Sequence, residues 1–169
     1  MCVAHSRQRP SPIRPADAAK GAAAESAFRA WLDASVLPHI YVEQSPMSVP
    51  VPLRGHIKRP DYIVGIPHVG MVAFDVKAKT LYPEGLVFDL DEIRKLRAFA
   101  RMFRVTIYFA CLDPEGGHLA YWVRLDQLDG VPLQHMARKA VLVLPLDQAQ
   151  PVDMRASFYE AFLDAVSLA

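Results

Sequence analysis

One nine-residue stretch, residues 71–79, constrains the fold more than any other part of the sequence. Apolar side chains stand at every second position, from Val72 to Ala78. This period of two predicts a strand with one apolar face. The other face carries Asp75, Lys77 and Lys79. The stretch therefore predicts a sheet strand that lines up charged groups along one side.

A helical segment and a second strand follow this stretch. From a cap at Asp89 or Asp91 to Phe103, apolar side chains recur at helical spacing. Residues 105–111 form a continuous apolar, β-branched and aromatic run, which is typical of a strand buried on both faces. Because strand–helix–strand connections are right-handed crossovers, we expect the two strands to be parallel neighbours or near neighbours.

Elements on either side complete the expected order. Upstream, a helix over 17–37 precedes a strand over 40–44, and another strand begins near Asp61 after a proline-rich loop. Downstream, the sequence predicts a turn, two strands and a helix at 113–117, 119–124, 140–144 and 154–167. The whole order predicts an α/β fold, in which helices flank a mixed central sheet.

Length and composition bound the domain organisation. With 169 residues, 52% of them apolar, the chain is expected to form one domain with a sizeable core. We expect a flexible basic tail over 1–15 and a single domain over 16–169, with a core at 16–124 and a C-terminal extension at 125–169.

Composition also excludes some classes of protein. No apolar run approaches the roughly 18 residues that span a bilayer, so no membrane partner is expected. The two cysteines, Cys2 and Cys111, do not make a disulfide framework, which favours a cytoplasmic protein. The net charge of +1 neither requires nor forbids a nucleic-acid partner.

Two carboxylates and a lysine are candidates for chemistry. Asp75 and Lys77 share one face of their strand, and a hairpin would bring Asp61 beside Asp75. Two carboxylates that close repel each other, so a positive group must offset them. A divalent cation with oxygen ligands, Mg²⁺ or Mn²⁺, does this best. A neighbouring lysine can orient the attacking water and neutralise charge in the transition state.

These residues resemble the PD-(D/E)XK nuclease superfamily, which has the restriction-endonuclease-like fold. The resemblance rests on Pro60-Asp61, thirteen intervening residues and then Asp75-Val76-Lys77, with Glu25 on the preceding helix. It covers roughly residues 16–124, where the expected elements follow the family's α-β-β-β-α-β core. Asp75 stands where many members have Glu, which shortens the reach of this ligand.

The resemblance implies a role for each of these residues. Asp61, Asp75 and the Val76 carbonyl would bind the metal, and Glu25 would bind a second metal or its water. Lys77 would be the catalytic base or the electrostatic stabiliser. In the competing interpretations, Asp75 and Lys77 form only a surface charge pair. Likewise, Glu25 only pairs with Arg29, four residues further along the same helix.

Basic residues around the motif are candidates for contacts with nucleic acid. Lys79 lies on the same strand face as Lys77, and Lys95 lies on the following helix. Lys58 and Arg59 precede the Pro-Asp pair and would line a substrate groove. The alternative for these two is a solvated loop.

The resemblance therefore implies a metal-dependent endonuclease that hydrolyses phosphodiester bonds in nucleic acid, with DNA favoured over RNA as the expected substrate. The chain has little room for a separate sequence-reading domain, so we expect weakly specific or structure-selective cleavage, a homodimer, or a protein partner that supplies specificity. The alternative function is a catalytically inactive module of the same fold that binds nucleic acid or protein.

Overall fold

The computed structural model describes residues 14–45 and 48–167 of the chain. Within this part, the chain forms nine strands and three α-helices. The helices are α1 (Pro15–Ala34), α2 (Leu90–Phe103) and α3 (Phe158–Ser167). The strands are β1 (His39–Tyr41), β2 (Tyr62–Ile66), β3 (Gly70–Ala78), β4 (Leu86–Asp89), β5 (Thr106–Leu112), β6 (Leu119–Arg124), β7 (Leu133–Met136), β8 (Lys139–Leu144) and β9 (Gln150–Asp153). Most of the expected basic tail lies outside the described residues.

The central sheet has six strands in the order β1-β2-β3-β5-β6-β9. Strands β3 and β5 are parallel, with Val76 opposite Ala110, and every other neighbouring pair in this sheet is antiparallel. Between β3 and β5, the chain passes first through β4 and then through α2. The predicted mixed sheet and the predicted parallel neighbours are therefore confirmed.

The two faces of the sheet bury two apolar clusters. On one face, Phe28 and Trp31 of α1 pack with Phe74, Trp122 and Phe158. On the other face, α2 packs its apolar side chains against β5 and β4. Because side chains alternate along β3, Phe74 points into the first cluster and its neighbours point towards α2.

A second, antiparallel sheet of three strands has the order β4-β8-β7. Its strand β4 leads directly into α2, and the side chain of Asp89 caps this helix by accepting hydrogen bonds from the backbone amides of Asp91 and Glu92. The small sheet therefore fixes where α2 begins. Among the described residues, no helix is long and apolar enough to cross a membrane.

Several expected boundaries were wrong. Helix α1 ends at Ala34 instead of residue 37, because Val36 has a left-handed backbone with φ of 55°. The last helix begins at Phe158, not at residue 154, and the strand expected over 40–44 ends at Tyr41. Three strands were not predicted: β4, β7 and β9. All four residues of β7 are exposed and β9 contains a proline, so neither shows the alternation that indicates a strand.

Gly85 holds the start of β4 against β8, and its replacement should loosen the small sheet. Its φ is +120°, and a Cβ there would lie 2.1 Å from the backbone oxygen of Leu144. We predict that Gly85→Ala lowers the free energy of unfolding by about 2 kcal/mol or more. The control is Gly21→Ala in α1, where a Cβ meets nothing within 4 Å; this variant should gain about 0.5–1 kcal/mol. Urea unfolding of both variants tests the contrast, and equal effects would contradict it.

Candidate functional site

Two buried carboxylates lie where β2 begins beside β3. Asp75 in the middle of β3 is 0% exposed, and Asp61, just before β2, is 7% exposed. The backbone amide of Asp61 donates to the Phe74 carbonyl at 2.9 Å. The side-chain Oδ2 of Asp61 accepts a hydrogen bond of 2.7 Å from the backbone amide of Val76. The local backbone therefore brings Asp61 to the residue that follows Asp75, as the sequence predicted.

The two carboxylates influence each other electrostatically. Burial and the negative charge of Asp75 raise the pKa of Asp61 to about 7, although nearby ammonium groups and the Val76 amide oppose this shift. The carboxyl of Asp61 therefore holds a proton more readily near neutral pH than an ordinary aspartate does.

Two lysines, not one, contact Asp75. Lys58 Nζ donates to Asp75 Oδ1 at 2.5 Å, and Lys77 Nζ lies 2.7 Å from Asp75 Oδ2. Lys77 was predicted at this position from the strand period. For Lys58 the solvated-loop interpretation was wrong, because its side chain is only 25% exposed and its ammonium is held in the acidic centre.

Glu92, in the first turn of α2, binds both lysines. Its Oε1 lies 2.6 Å from Lys58 Nζ and 2.6 Å from Lys77 Nζ. Burial alone would raise the pKa of Glu92, but the two ammonium groups lower it to about 2. Burial alone would lower the pKa of Lys77. The negative charges of Asp75 and Glu92 outweigh this effect and raise the pKa of Lys77 above its ordinary value. Glu92 and Lys77 therefore both carry their charge at neutral pH.

The carboxylates of Asp61 and Asp75 are ligands of the kind that a hard divalent cation prefers. In this structure, however, Lys58 and Lys77 contact Asp75. Among residues 14–45 and 48–167, no three His, Cys, Asp or Glu side chains are arranged as a metal site. Both oxygens of Asp75 face ammonium groups. Lys77 Nζ lies 2.7 Å from Asp75 Oδ2 and compensates its charge. Carboxylate oxygens are also the ligands that Mg²⁺ and Mn²⁺ prefer, so the chemistry of Asp61 and Asp75 fits such an ion.

Glu25 lies half-buried on α1, within electrostatic range of this centre. Its backbone carbonyl accepts a hydrogen bond from the Tyr62 hydroxyl at 3.2 Å, which anchors this turn of the helix. Burial raises the pKa of the Glu25 carboxyl, and the charges of Lys77 and Asp75 act on it in opposite directions. The alternative ion pair between Glu25 and Arg29 is not formed; Arg29 Nε instead lies 3.9 Å from Asp33 Oδ2.

The remaining basic candidates are bound to protein groups. Lys79 Nζ donates to the Val87 carbonyl and lies 5.1 Å from the centre of the Phe88 ring, and burial lowers its pKa. The guanidinium of Arg59 donates to the Ser45 carbonyl and the Ser48 hydroxyl. Lys95 Nζ lies 2.5 Å from Asp91 Oδ2. Of the four residues expected to contact nucleic acid, only Lys58 enters the acidic centre, and their contact with nucleic acid stays a prediction.

Glu92 is the residue of this centre that sequence reasoning missed. Its position three after the Asp89 cap is typical of an exposed first turn. It also lies four residues before Leu96 and seven before Phe99, both of which are buried. An acidic residue on the buried stripe of a helix needs a partner, and this signal was present in the sequence.

Comparison with known proteins supports the fold. No family model matches the chain, and no curated protein matches it in sequence. A similar solved structure is that of Hjc, a Holliday junction resolvase from the archaeal hyperthermophile Archaeoglobus fulgidus. It is 21% identical, the match covers 73% of this chain and 88% of that chain, and the TM-score is 0.50. This likeness confirms the predicted α/β class, with a mixed central sheet of restriction-endonuclease-like type.

Replacing Glu92 tests whether it holds the two ammonium groups. We predict that Glu92→Gln lowers the free energy of unfolding by about 2–4 kcal/mol at pH 6, because two hydrogen bonds to charged groups weaken. The pKa of Glu92 is lowered from 4.5 to about 2 in the folded protein. Its contribution is therefore complete above the unfolded value and is lost as the pH falls towards the folded one.

The difference between wild type and Glu92→Gln should accordingly be smaller at pH 3.5 than at pH 6, as measured by urea unfolding at both values. The matched control is Asp91→Asn, one residue earlier, where an exposed pair with Lys95 is lost and the cost should stay below about 1 kcal/mol. A Glu92→Gln variant as stable as Asp91→Asn at pH 6 would contradict the assignment.

Proposed function

We propose that this chain is a metal-dependent nuclease that hydrolyses phosphodiester bonds in DNA. The observation that carries the proposal is Asp75, which is 0% exposed, contacts Lys77 and lies beside Asp61 in a fold similar to that of a Holliday junction resolvase. Apolar side chains of similar size stabilise a core as well as a buried ion pair does, or better. A centre this charged therefore favours a role in chemistry over a role in packing.

Four groups are proposed to hold the metal. Asp61, Asp75 and the Val76 carbonyl would bind one ion, and Glu25 would bind a second ion or its water. When bound, the metal polarises the scissile phosphate and lowers the pKa of a bound water. Carboxylate and carbonyl oxygens are the ligands that Mg²⁺ and Mn²⁺ prefer.

Lys77 acts as an electrostatic stabiliser. Its pKa is raised by Asp75 and Glu92, which favours the role of a charged stabiliser over that of the general base. Glu92 and Asp75 hold Nζ in place from two sides. From there the ammonium donates hydrogen bonds to the attacking water or to the phosphate, and it offsets the negative charge that develops in the transition state.

The proposed substrate is DNA with a branch or another structural irregularity. Hjc resolves Holliday junctions, and the net charge of +1 provides little general attraction to a duplex. We further propose a cytoplasmic protein that works as a homodimer or with a protein partner. The division into a core at 16–124 and an extension at 125–169 stays a prediction; β9 of the extension pairs with β6 in the main sheet.

A cleavage assay tests the proposal. Wild-type protein is incubated with plasmid, single-stranded, branched and RNA substrates in Mg²⁺, in Mn²⁺ and in EDTA. We predict metal-dependent cleavage of DNA, lowered at least about 100-fold in Asp75→Asn and in Lys77→Met. The control Asp91→Asn should retain wild-type activity, because its side chain is 70% exposed and lies outside the acidic centre.

Two results would overturn this function. Cleavage that continues in EDTA would exclude the metal mechanism. Binding of DNA without cleavage under any of these conditions would favour the inactive binding module over the nuclease.

A further inference from the structure

The second lysine on Asp75 has no role in the function proposed above. The sequence resemblance assigns one lysine, Lys77, whereas Lys58 makes an equally close contact with Asp75 from a different part of the chain. Lys58 lies between a short 3-10 turn at Val51–Leu53 and β2. Its ammonium is shared between Asp75 and Glu92 at 2.5 and 2.6 Å.

Lys58 occupies the part of Asp75 that a metal would need. A divalent cation such as Mg²⁺ binds carboxylate oxygen at about 2.0–2.1 Å. The Lys58 ammonium lies 2.5 Å from Asp75 Oδ1, so it and an ion cannot occupy the same side of this oxygen. The other oxygen, Oδ2, faces Lys77 at 2.7 Å. Binding of a metal to Asp75 therefore requires one of the two ammonium groups to move.

Charge leads to the same requirement. The ammonium groups of Lys58 and Lys77 balance the carboxylates of Asp75 and Glu92 without any ion. A divalent ion added to this balanced set would meet two positive charges at contact distance. Release of one ammonium group removes part of this repulsion.

The backbone indicates which lysine moves. Lys77 lies within β3 and is paired with Cys111 of the parallel strand β5, so its Cα is fixed by the sheet. Lys58 lies in an irregular segment, and its amide donates a long hydrogen bond of 3.3 Å to the Lys95 carbonyl. Irregular segments rearrange at lower cost than central strands. Lys58 is therefore the ammonium group that can leave.

We propose that Lys58 is the internal counter-ion of this centre: its ammonium neutralises Asp75 when no cation is bound and is released when a divalent cation binds there. This inference rests on the proposed metal-dependent function. The released ammonium would lie at the edge of the site, where it can contact a phosphate. Lys58 would then bind nucleic acid only in the metal-bound protein.

Limited acetylation of the wild-type protein tests the release. Lysine acetylation is followed by peptide mass spectrometry in EDTA and in saturating Mn²⁺. We predict that Lys58 is acetylated about tenfold faster with Mn²⁺, because its ammonium is no longer held by two carboxylates. Lys139, whose side chain is 73% exposed, is the internal reference and should not change. An unchanged or slower rate at Lys58 with Mn²⁺ bound would overturn the inference.

A matched pair of variants tests the competition. In Lys58→Met, the Kd for Mn²⁺, measured by calorimetry, should fall about tenfold, since no ammonium opposes binding. The melting temperature of this variant in EDTA should also fall, because Asp75 loses a partner. Lys95→Met removes the same charge nearby, but its partner is Asp91, so the Kd should change less than about twofold.

The outcomes separate the two proposals. If wild type binds Mn²⁺ and Lys58→Met binds it equally or more weakly, the counter-ion role is wrong and the nuclease proposal stands. If neither protein binds Mn²⁺, the metal-dependent function fails and the release of Lys58 fails with it. If Lys58→Met does not fold, acetylation of the wild-type protein decides the question.

Discussion

The charge of one buried carboxylate sets the arrangement around it. Asp75 is 0% exposed in the middle of a central strand, where an unpaired ionised carboxylate costs many kcal/mol. Two ammonium groups at 2.5 and 2.7 Å offset this cost. They are in turn held by Glu92. Four charged groups from a loop, a strand and a helix are therefore tied together by the need to compensate Asp75.

The topology of the sheet explains why this carboxylate lies next to another one. The antiparallel pairing of β2 with β3 ends at Tyr62 opposite Phe74. Beyond this pair, the Val76 amide has no β2 partner, and the side chain of Asp61 takes the place of the missing backbone acceptor. On the other side, β3 remains paired with β5 through Ala78. The open edge of β3 is thus where backbone groups and carboxylates meet.

Sequence reasoning succeeded where a strong local pattern coincided with burial. The alternation of β3 predicted that Asp75 and Lys77 share a face, and the strand–helix–strand order predicted that β3 and β5 are parallel neighbours. It failed where contacts depend on distant elements. The place of Lys58 is determined by Asp75 and by Glu92, which is 34 residues away, and no local pattern around residue 58 contains that information.

The protein contacts of Lys79 were not predicted, for a related reason. Its place on the strand face was predicted, but β4, whose Val87 carbonyl accepts its hydrogen bond, was not. A short strand after a Pro-Gly turn resembles a loop in the sequence. Because β4 lies beside Lys79, the ammonium of this residue contacts the backbone of that strand and the Phe88 ring.

The central proposal for this protein is that Asp61 and Asp75 bind a divalent cation that exchanges with Lys58. A crystal structure of the protein grown with Mn²⁺, with anomalous diffraction measured at the manganese edge, tests this directly. The account predicts an anomalous peak between the carboxylates of Asp61 and Asp75, with Lys58 Nζ moved away from Asp75 Oδ1. A peak elsewhere in the protein, or a peak at Asp75 with both lysines still in contact with its carboxylate, would contradict it.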